Sequence, residues 1–161
     1  MDSALYKGRL TWLRPLPDGF VPEVFEVASR ALIVHEDRVL LVYHHTTDAW
    51  LTPGGRLRPG EAMVEGLGRE LEEETGLEVE VDKLLLTWDV LMPKEKSHKI
   101  EFVFRAHPLA APDFVQRDHV DLDPTGHVAK VGWFTADEVK ALPRVFPDFL
   151  RNWPDLLERA A

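Results

Sequence analysis

The chain has 161 residues, 45% of them hydrophobic and 29% charged, with a formal charge of −9. That is one domain of ordinary size with apolar content for a core, and it excludes a disordered or collagen-like chain. The absence of cysteine excludes a disulfide framework and thiolate chemistry, and an acidic balance without a basic stripe argues against a nucleic-acid groove.

In chain order, residues 1–23 read as an extended segment punctuated by Pro15, Pro17, Gly19 and Pro22, with one strand expected around "RLTWL". The start, "MDSALYKGRLTW", lacks the basic-then-apolar order of a signal peptide, and no apolar run approaches membrane-spanning length. Cytoplasm is therefore the expected compartment. "VFEVASRALIV" and "RVLLVYHH" flank "HEDR", which predicts a hairpin or two neighbouring strands. "TTDAWLTPGGRLRPG" is a loop. A helix is expected over 61–75, then a long strand, or two with a bend, in "LEVEVDKLLLTWDVLM". "PKEKSHK" is a polar turn, and "IEFVFRAH" alternates like a half-buried strand. An irregular stretch covers 108–127. "VAKVGWF" is the last strand, "TADEVKAL" a helix capped by Thr135, and 147–159 a terminal helix. A mixed sheet with helices on its faces follows: an α/β sandwich in a single domain over 1–161. Its parts are an N-terminal extension 1–23, a core 24–143 and a C-terminal helix 144–161.

The charge is concentrated. Between Glu61 and Asp82 there are nine acids and one base, Arg69. On an ideal helix, Val64, Leu67, Leu71 and Met63 form the core stripe, and Glu65, Glu72 and Arg69 fall on the solvent side. Glu70, Glu73 and Glu74 fall on the margin of the stripe. A carboxylate losing water there needs a partner, and one arginine does not serve three. Spacing alone leaves two readings level: a hard divalent cation with oxygen ligands, or pairing with scattered lysines. The preceding Pro53-Gly54-Gly55 favours the cation. It lets the backbone turn sharply and approach a ligand, and it offers a bare carbonyl.

Gly55, Glu61, Arg69, Glu70, Leu71, Glu73, Glu74, Gly76 and Leu77 fall in a pattern that resembles the Nudix box. The flanking "LIVHEDRVLLVYHH" and "VGWFTADEV" are also similar to that family, over roughly residues 24–143. The resemblance implies a Nudix-like α/β/α sandwich with a mixed sheet. It implies a divalent-metal pyrophosphohydrolase, using Mg²⁺ or alternatively Mn²⁺, that splits a nucleoside diphosphate joined to another group. The small-molecule substrate would be a nucleotide, a nucleotide sugar or of the ADP-ribose type. Carried over by position, Glu70, Glu73 and Glu74 resemble the metal ligands and catalytic carboxylates, Gly54 a carbonyl ligand, and Arg69 with Glu61 a structural ion pair. The other reading is a Nudix-fold module that senses a nucleotide without cleaving it. Intact Glu70, Glu73 and Glu74 argue against this.

The chain departs from the family's pattern at His127, where many members carry a glutamate before the last tryptophan. That leaves Glu70, His127, Glu101 or an acid in "RDHVDLD" as the general base, with Glu70 favoured because it shares the helix of the metal ligands. Asp118, Asp121 and Asp123 do not fit calcium-loop spacing and read as a solvated loop. Candidate substrate contacts are Arg30, Trp50, Glu101 and His127. Trp50 has a second reading as packing under the glycine loop. The basic turn of Lys94, Lys96, His98 and Lys99 reads either as a phosphate contact or as a solvated hairpin tip. Pro93 is a pointer toward ADP-ribose-type substrates. Tyr6, Trp12 and Phe20 would wall the pocket or form a homodimer interface. Gly66 and Gly68 each cost helix stability, with one expected to pack closely on the sheet.

Overall fold

A computed structural model describes residues 21–92, 96–119, 122 and 126–159. The expected strand at "RLTWL", Tyr6, Trp12, Phe20, Pro93, Lys94, Asp121 and Asp123 lie outside the described residues.

Alternation of apolar residues builds the sheet. In β1 (Val24–His35), Ala31 and Ile33 face one side while Leu32 and Val34 face the other. β2 (Arg38–His44) repeats this, with Leu40 and Val42 opposite Val39 and Leu41. The two strands form the expected hairpin, pairing Val34 with Val39 and His35 with Arg38. Two short strands follow, β3 (Ala49–Leu51) on β2 and β4 (Gly54–Arg56) on β1. β5 (Val79–Met92) and β6 (Ser97–Pro108) make a long antiparallel pair, and register shifts near Lys83 and Leu85 provide the bend. β8 (Val128–Thr135) runs antiparallel to β2. Within the irregular stretch the chain adds β7 (Arg117–Asp118), too short to show in a sequence pattern. The order is β5-β6-β1-β2-β8-β7, and β1 and β6 are parallel.

Both faces of the sheet are covered, as an α/β sandwich requires. Helix α1 (Met63–Thr75) buries Leu67 and Leu71 against Ala31, Ile33, Leu40, Val42 and Trp133. On the other face, α2 (Ala136–Ala141), a 3₁₀ turn (Asp148–Asn152) and α3 (Trp153–Arg159) bring Val139, Leu150, Trp153 and Leu156 onto Trp50, Trp88 and Phe134. The terminal helix is thus split, with its first turn wound as 3₁₀. Thr135 caps α2 as expected: its hydroxyl accepts from Glu138 N–H, and the Glu138 carboxylate accepts from Thr135 N–H. No helix among the described residues is long and apolar enough to cross a membrane.

The buried arc of α1 differs from the expected stripe. Val64 is 53% exposed, whereas Gly66, Leu67, Leu71, Glu74 and Thr75 are buried. The cause is the loop 57–61, which covers the helix on the Gly66 side. A Cβ on Gly66 would lie 2.6 Å from Leu57 Cδ2 and 2.7 Å from Glu61 Oε2. Gly66 therefore packs on this loop and not on the sheet, while a Cβ on Gly68 meets nothing within 4 Å. Gly68→Ala should raise stability by about 0.5–1 kcal/mol, the ordinary helix-interior difference. Gly66→Ala should lower it, because Glu61 is held by two partners and does not yield. Chemical denaturation of the two variants beside the parent chain reads this order, and a stabilising Gly66→Ala would show that the loop does not press on the helix.

Candidate active site

Gly54 and Gly55 sit where β4 is squeezed between β1 and α1. Gly54 has φ 126°, a conformation that side-chain-bearing residues avoid, and a Cβ there would lie 2.3 Å from the Ser29 carbonyl oxygen. A Cβ on Gly55 would lie 2.2 Å from Glu70 Oε2. The Glu70 carboxylate thus packs directly on bare backbone. One turn along α1, Glu74 Oε2 accepts a 2.7 Å hydrogen bond from Gly54 N–H. These contacts open onto a cleft of about 1000 Å³, lined among others by Arg30, His44, Gly54, Glu70, Glu74, Glu101 and His127.

Arg69 ties the carboxylates together. Its Nε donates to Glu61 Oε1 at 2.8 Å, its Nη1 to Glu70 Oε1 at 2.8 Å and Glu73 Oε2 at 3.0 Å, and its Nη2 to Glu61 Oε2 at 3.2 Å and the Arg56 carbonyl at 3.3 Å. Expected on the solvent side, Arg69 is in fact half-buried, its side chain 19% exposed, because the loop 57–61 closes over it. Glu61 also accepts from Arg58 N–H at 2.9 Å. Hydrogen bonds from Arg69 and Arg58 hold the Glu61 carboxyl down to about 2. Glu70 moves the other way. Burial and the nearby Glu74 and Glu73 charges push its carboxyl above the usual range, against the pull of Arg69.

The remaining candidates separate by position. Glu73 turns to Arg69, with Arg58 Nη2 at 3.8 Å, and is not in the cleft lining. Arg30 is buried and donates to Glu101 Oε1 at 3.3 Å, the Thr52 carbonyl at 3.2 Å and the Gly54 carbonyl at 2.6 Å. Trp50 is 7% exposed, packs its edge on Phe134 and does not line the cleft. His127 is exposed at the rim, its ring 6.1 Å from that of His44. Of the basic turn, Lys96 pairs with Glu23 and His98 with Asp89, and Lys99 lines the cleft beside Glu26.

His44 is a residue that sequence reasoning passed over. Its Nε2 is buried without a hydrogen-bond partner and lies 3.5 Å from Glu74 Oε1. A polar residue closing the apolar run "RVLLVY" was the signal. Among the described residues, no group of three or more His, Asp or Glu side chains is arranged to hold a metal ion. Arg69 draws Glu70 and Glu73 toward itself, and Gly54 N–H and Arg30 engage the others.

The family model described as NUDIX domain matches residues 24–154. The chain belongs to the Nudix family. Its match runs past residue 143 into the 3₁₀ turn and α3, which complete the core as shown above. A MutT-like protein of Streptomyces ambofaciens is 32% identical over 73% of this chain and 69% of its own length. The 8-oxo-dGDP phosphatase NUDT18 of Homo sapiens is 33% identical over 58% of this chain, and the match spans 28% of the human protein. Among solved structures, a NUDIX hydrolase from Nitrosomonas europaea has a TM-score of 0.67 at 23% identity, covering 84% of this chain and 89% of that one. A UDP-X diphosphatase has a TM-score of 0.62 at 23% identity, covering 99% of this chain and 71% of that one. At that identity the likeness concerns the Nudix fold.

The Glu61–Arg69 pair has a pH signature. The folded-state carboxyl lies below its ordinary value, so protons bind the unfolded chain more readily in acid. Its stabilising contribution should be whole above about pH 4.3 and vanish as pH falls through about 2. Acid unfolding followed by circular dichroism should show a shallower decline across that window in Glu61→Gln than in the parent chain. Identical slopes would mean that the pair does not hold the loop in solution.

Proposed function

We propose that this Nudix protein is a divalent-metal-dependent pyrophosphohydrolase acting on a nucleoside diphosphate linked to a further group. The observation that supports this most is the packing of Glu70 and Glu74 against the Gly54–Gly55 backbone inside the cleft. A relative named as an 8-oxo-dGDP phosphatase supports the nucleotide class.

The donor set suits a hard cation. Glu70 and Glu74 are crowded, and burial, with the Glu74 and Glu73 charges added, raises the Glu70 carboxyl despite Arg69. Carboxylate oxygens and the Gly54 carbonyl are the ligand types that Mg²⁺ or Mn²⁺ takes. Glu70, Glu74 and the Gly54 carbonyl would hold it, with Glu73 joining from the rim once released by Arg69. When bound, the metal would neutralise phosphate charge and polarise the phosphoryl group.

The protein's own residues do the rest. Arg69 and Glu61 fix the loop so that Gly54 and Gly55 keep their approach to α1. Glu70, desolvated and raised, takes the proton from the attacking water, for which a pKa above that of an ordinary carboxylate is an advantage. His127 is exposed and lines the same cleft, but it lies off the helix that carries the carboxylates, which favours Glu70 over it as the base. Substrate orientation falls to the cleft walls.

Glu70→Gln and Glu74→Gln should lower turnover by about 10²–10⁴-fold. Glu74→Gln should also weaken Mn²⁺ binding, while His127→Ala should be mild. A panel of nucleoside triphosphates, ADP-ribose, nucleotide sugars and dinucleoside polyphosphates, with and without Mg²⁺, measures this. Parental rates for both glutamine variants, or a severe His127→Ala, would overturn the assignment.

A further inference from the structure

A diphosphate is a polyanion, and a cleft that takes it needs cations with donors to spare. The cleft lining holds five carboxylates, Glu26, Glu61, Glu70, Glu74 and Glu101, against five cations, Arg30, Arg56, Arg58, Arg69 and Lys99. Its formal charge therefore gives no net pull on an anion, and the question becomes which cation is not already spent on the protein. Arg69 has all three nitrogens on carboxylates and a carbonyl. Arg56 Nη1 and Lys99 Nζ meet Glu26. Arg58 is 62% exposed, and its closest carboxylate is Glu73 at 3.8 Å.

Arg30 is different. Its Nε is fixed by Glu101, and its Nη1 by two carbonyls, those of Thr52 and Gly54. Those three bonds leave Nη2 with no hydrogen-bond partner among the described residues. The Arg30 side chain is 11% exposed and lines the cleft. Burial works against the charge of Arg30, yet Glu101 and then Glu74 hold its pKa up, so the group stays cationic. The outcome is a guanidinium clamped through Nε and Nη1, with the two N–H donors of Nη2 outside those bonds, in a cleft that Glu70 and Glu74 also line.

Resting on the hydrolase reading above, we propose that Arg30 is the phosphate-binding cation of this cleft. Its Nη2 donates to a non-bridging oxygen of the substrate diphosphate while Glu101 and the Thr52 and Gly54 carbonyls hold the plane of the guanidinium. A guanidinium so clamped loses little freedom when it binds, and its planar fork matches a phosphate where an ammonium does not. Because Nη1 also holds the Gly54 carbonyl, the same side chain spaces the phosphate from the carboxylates of α1. Glu101 is then a positioning residue, acting through Arg30.

The test uses inorganic pyrophosphate with Mg²⁺, titrated by calorimetry, alongside a separate titration with Mn²⁺ alone. Arg30→Lys keeps the charge and loses the fork. It should weaken pyrophosphate binding about tenfold or more, the scale of a charge-assisted hydrogen bond, and weaken Mn²⁺ affinity by a clearly smaller factor, since Arg30 also holds the Gly54 carbonyl. Should a lone change at this buried site prevent folding, the double variant Arg30→Met with Glu101→Met replaces the ion pair by apolar groups of similar volume. It should fold and show the same loss. If either folded variant binds pyrophosphate as the parent does, the assignment falls and the hydrolase reading stands. If pyrophosphate and Mn²⁺ affinity fall in parallel, Arg30 only holds the loop and is no phosphate contact. If the parent chain itself ignores pyrophosphate in Mg²⁺, the hydrolase reading fails and this one with it.

Discussion

The site depends on one steric constraint: the backbone of Gly54 and Gly55 passes so close to β1 and α1 that no side chain fits. Ser29 closes one side of the passage and the Glu70 carboxylate the other. Everything chemical follows from that approach. It lets Gly54 N–H reach Glu74 and lets Arg30 reach the Gly54 carbonyl. A Cβ on Gly54 would strike the β1 backbone at Ser29 and Arg30, and one on Gly55 would displace the Glu70 carboxylate from its seat in the cleft.

Crowding carboxylates around bare backbone costs energy, and the chain offsets it with two arginines of unlike kind. Arg69 is on the helix itself and gives its donors to Glu61, Glu70, Glu73 and the Arg56 carbonyl, so it acts inward. Its value is to bind the loop 57–61 to α1, and the loop in turn fixes β4. Arg30 comes from the central strand, is anchored by Glu101 and by carbonyls, and keeps Nη2 outside those bonds. Glu70 remains raised: burial, helped by the Glu74 and Glu73 charges, pushes its carboxyl up against the pull of Arg69. On the function proposed above, a carboxyl raised in this way suits a base.

Much of this was legible in the sequence, for reasons that differ by element. The β1–β2 hairpin showed because two apolar runs flank a short polar turn, and α2 showed because its capping box is a local signal. The spacing from Gly55 to Leu77 located the carboxylates because a helix of fixed pitch carries them. The orientation of that helix did not show. An amphipathic stripe assumes one covering surface, the sheet, and here the loop 57–61 is a second. That shifted the buried arc away from Val64, brought Arg69 under cover and placed Glu74 inside. Gly66 in mid-helix was the trace of the second surface. β7 was invisible because two residues carry no period, and Trp50, a candidate base platform from sequence but more safely read as packing, does pack, against Phe134 and Tyr43.

The cleft also explains why reaction class and substrate were unequally readable. The groups that would handle the phosphates come from one contiguous stretch, Gly54 to Glu74, joined by a single distant residue, Arg30. The outer walls are drawn from Phe25, Glu26, Val90, Met92, Lys99 and Phe146, on strands and loops far apart in the chain. No spacing rule links residues that meet only through β1–β6 and β5–β6 pairing. Glu26 and Lys99 become neighbours by parallel register, and that register is set by the whole sheet and not by either segment. Chemistry encoded within one helix and its preceding turn survives as a pattern in the sequence. Recognition assembled across three strands exists only once the sheet has formed.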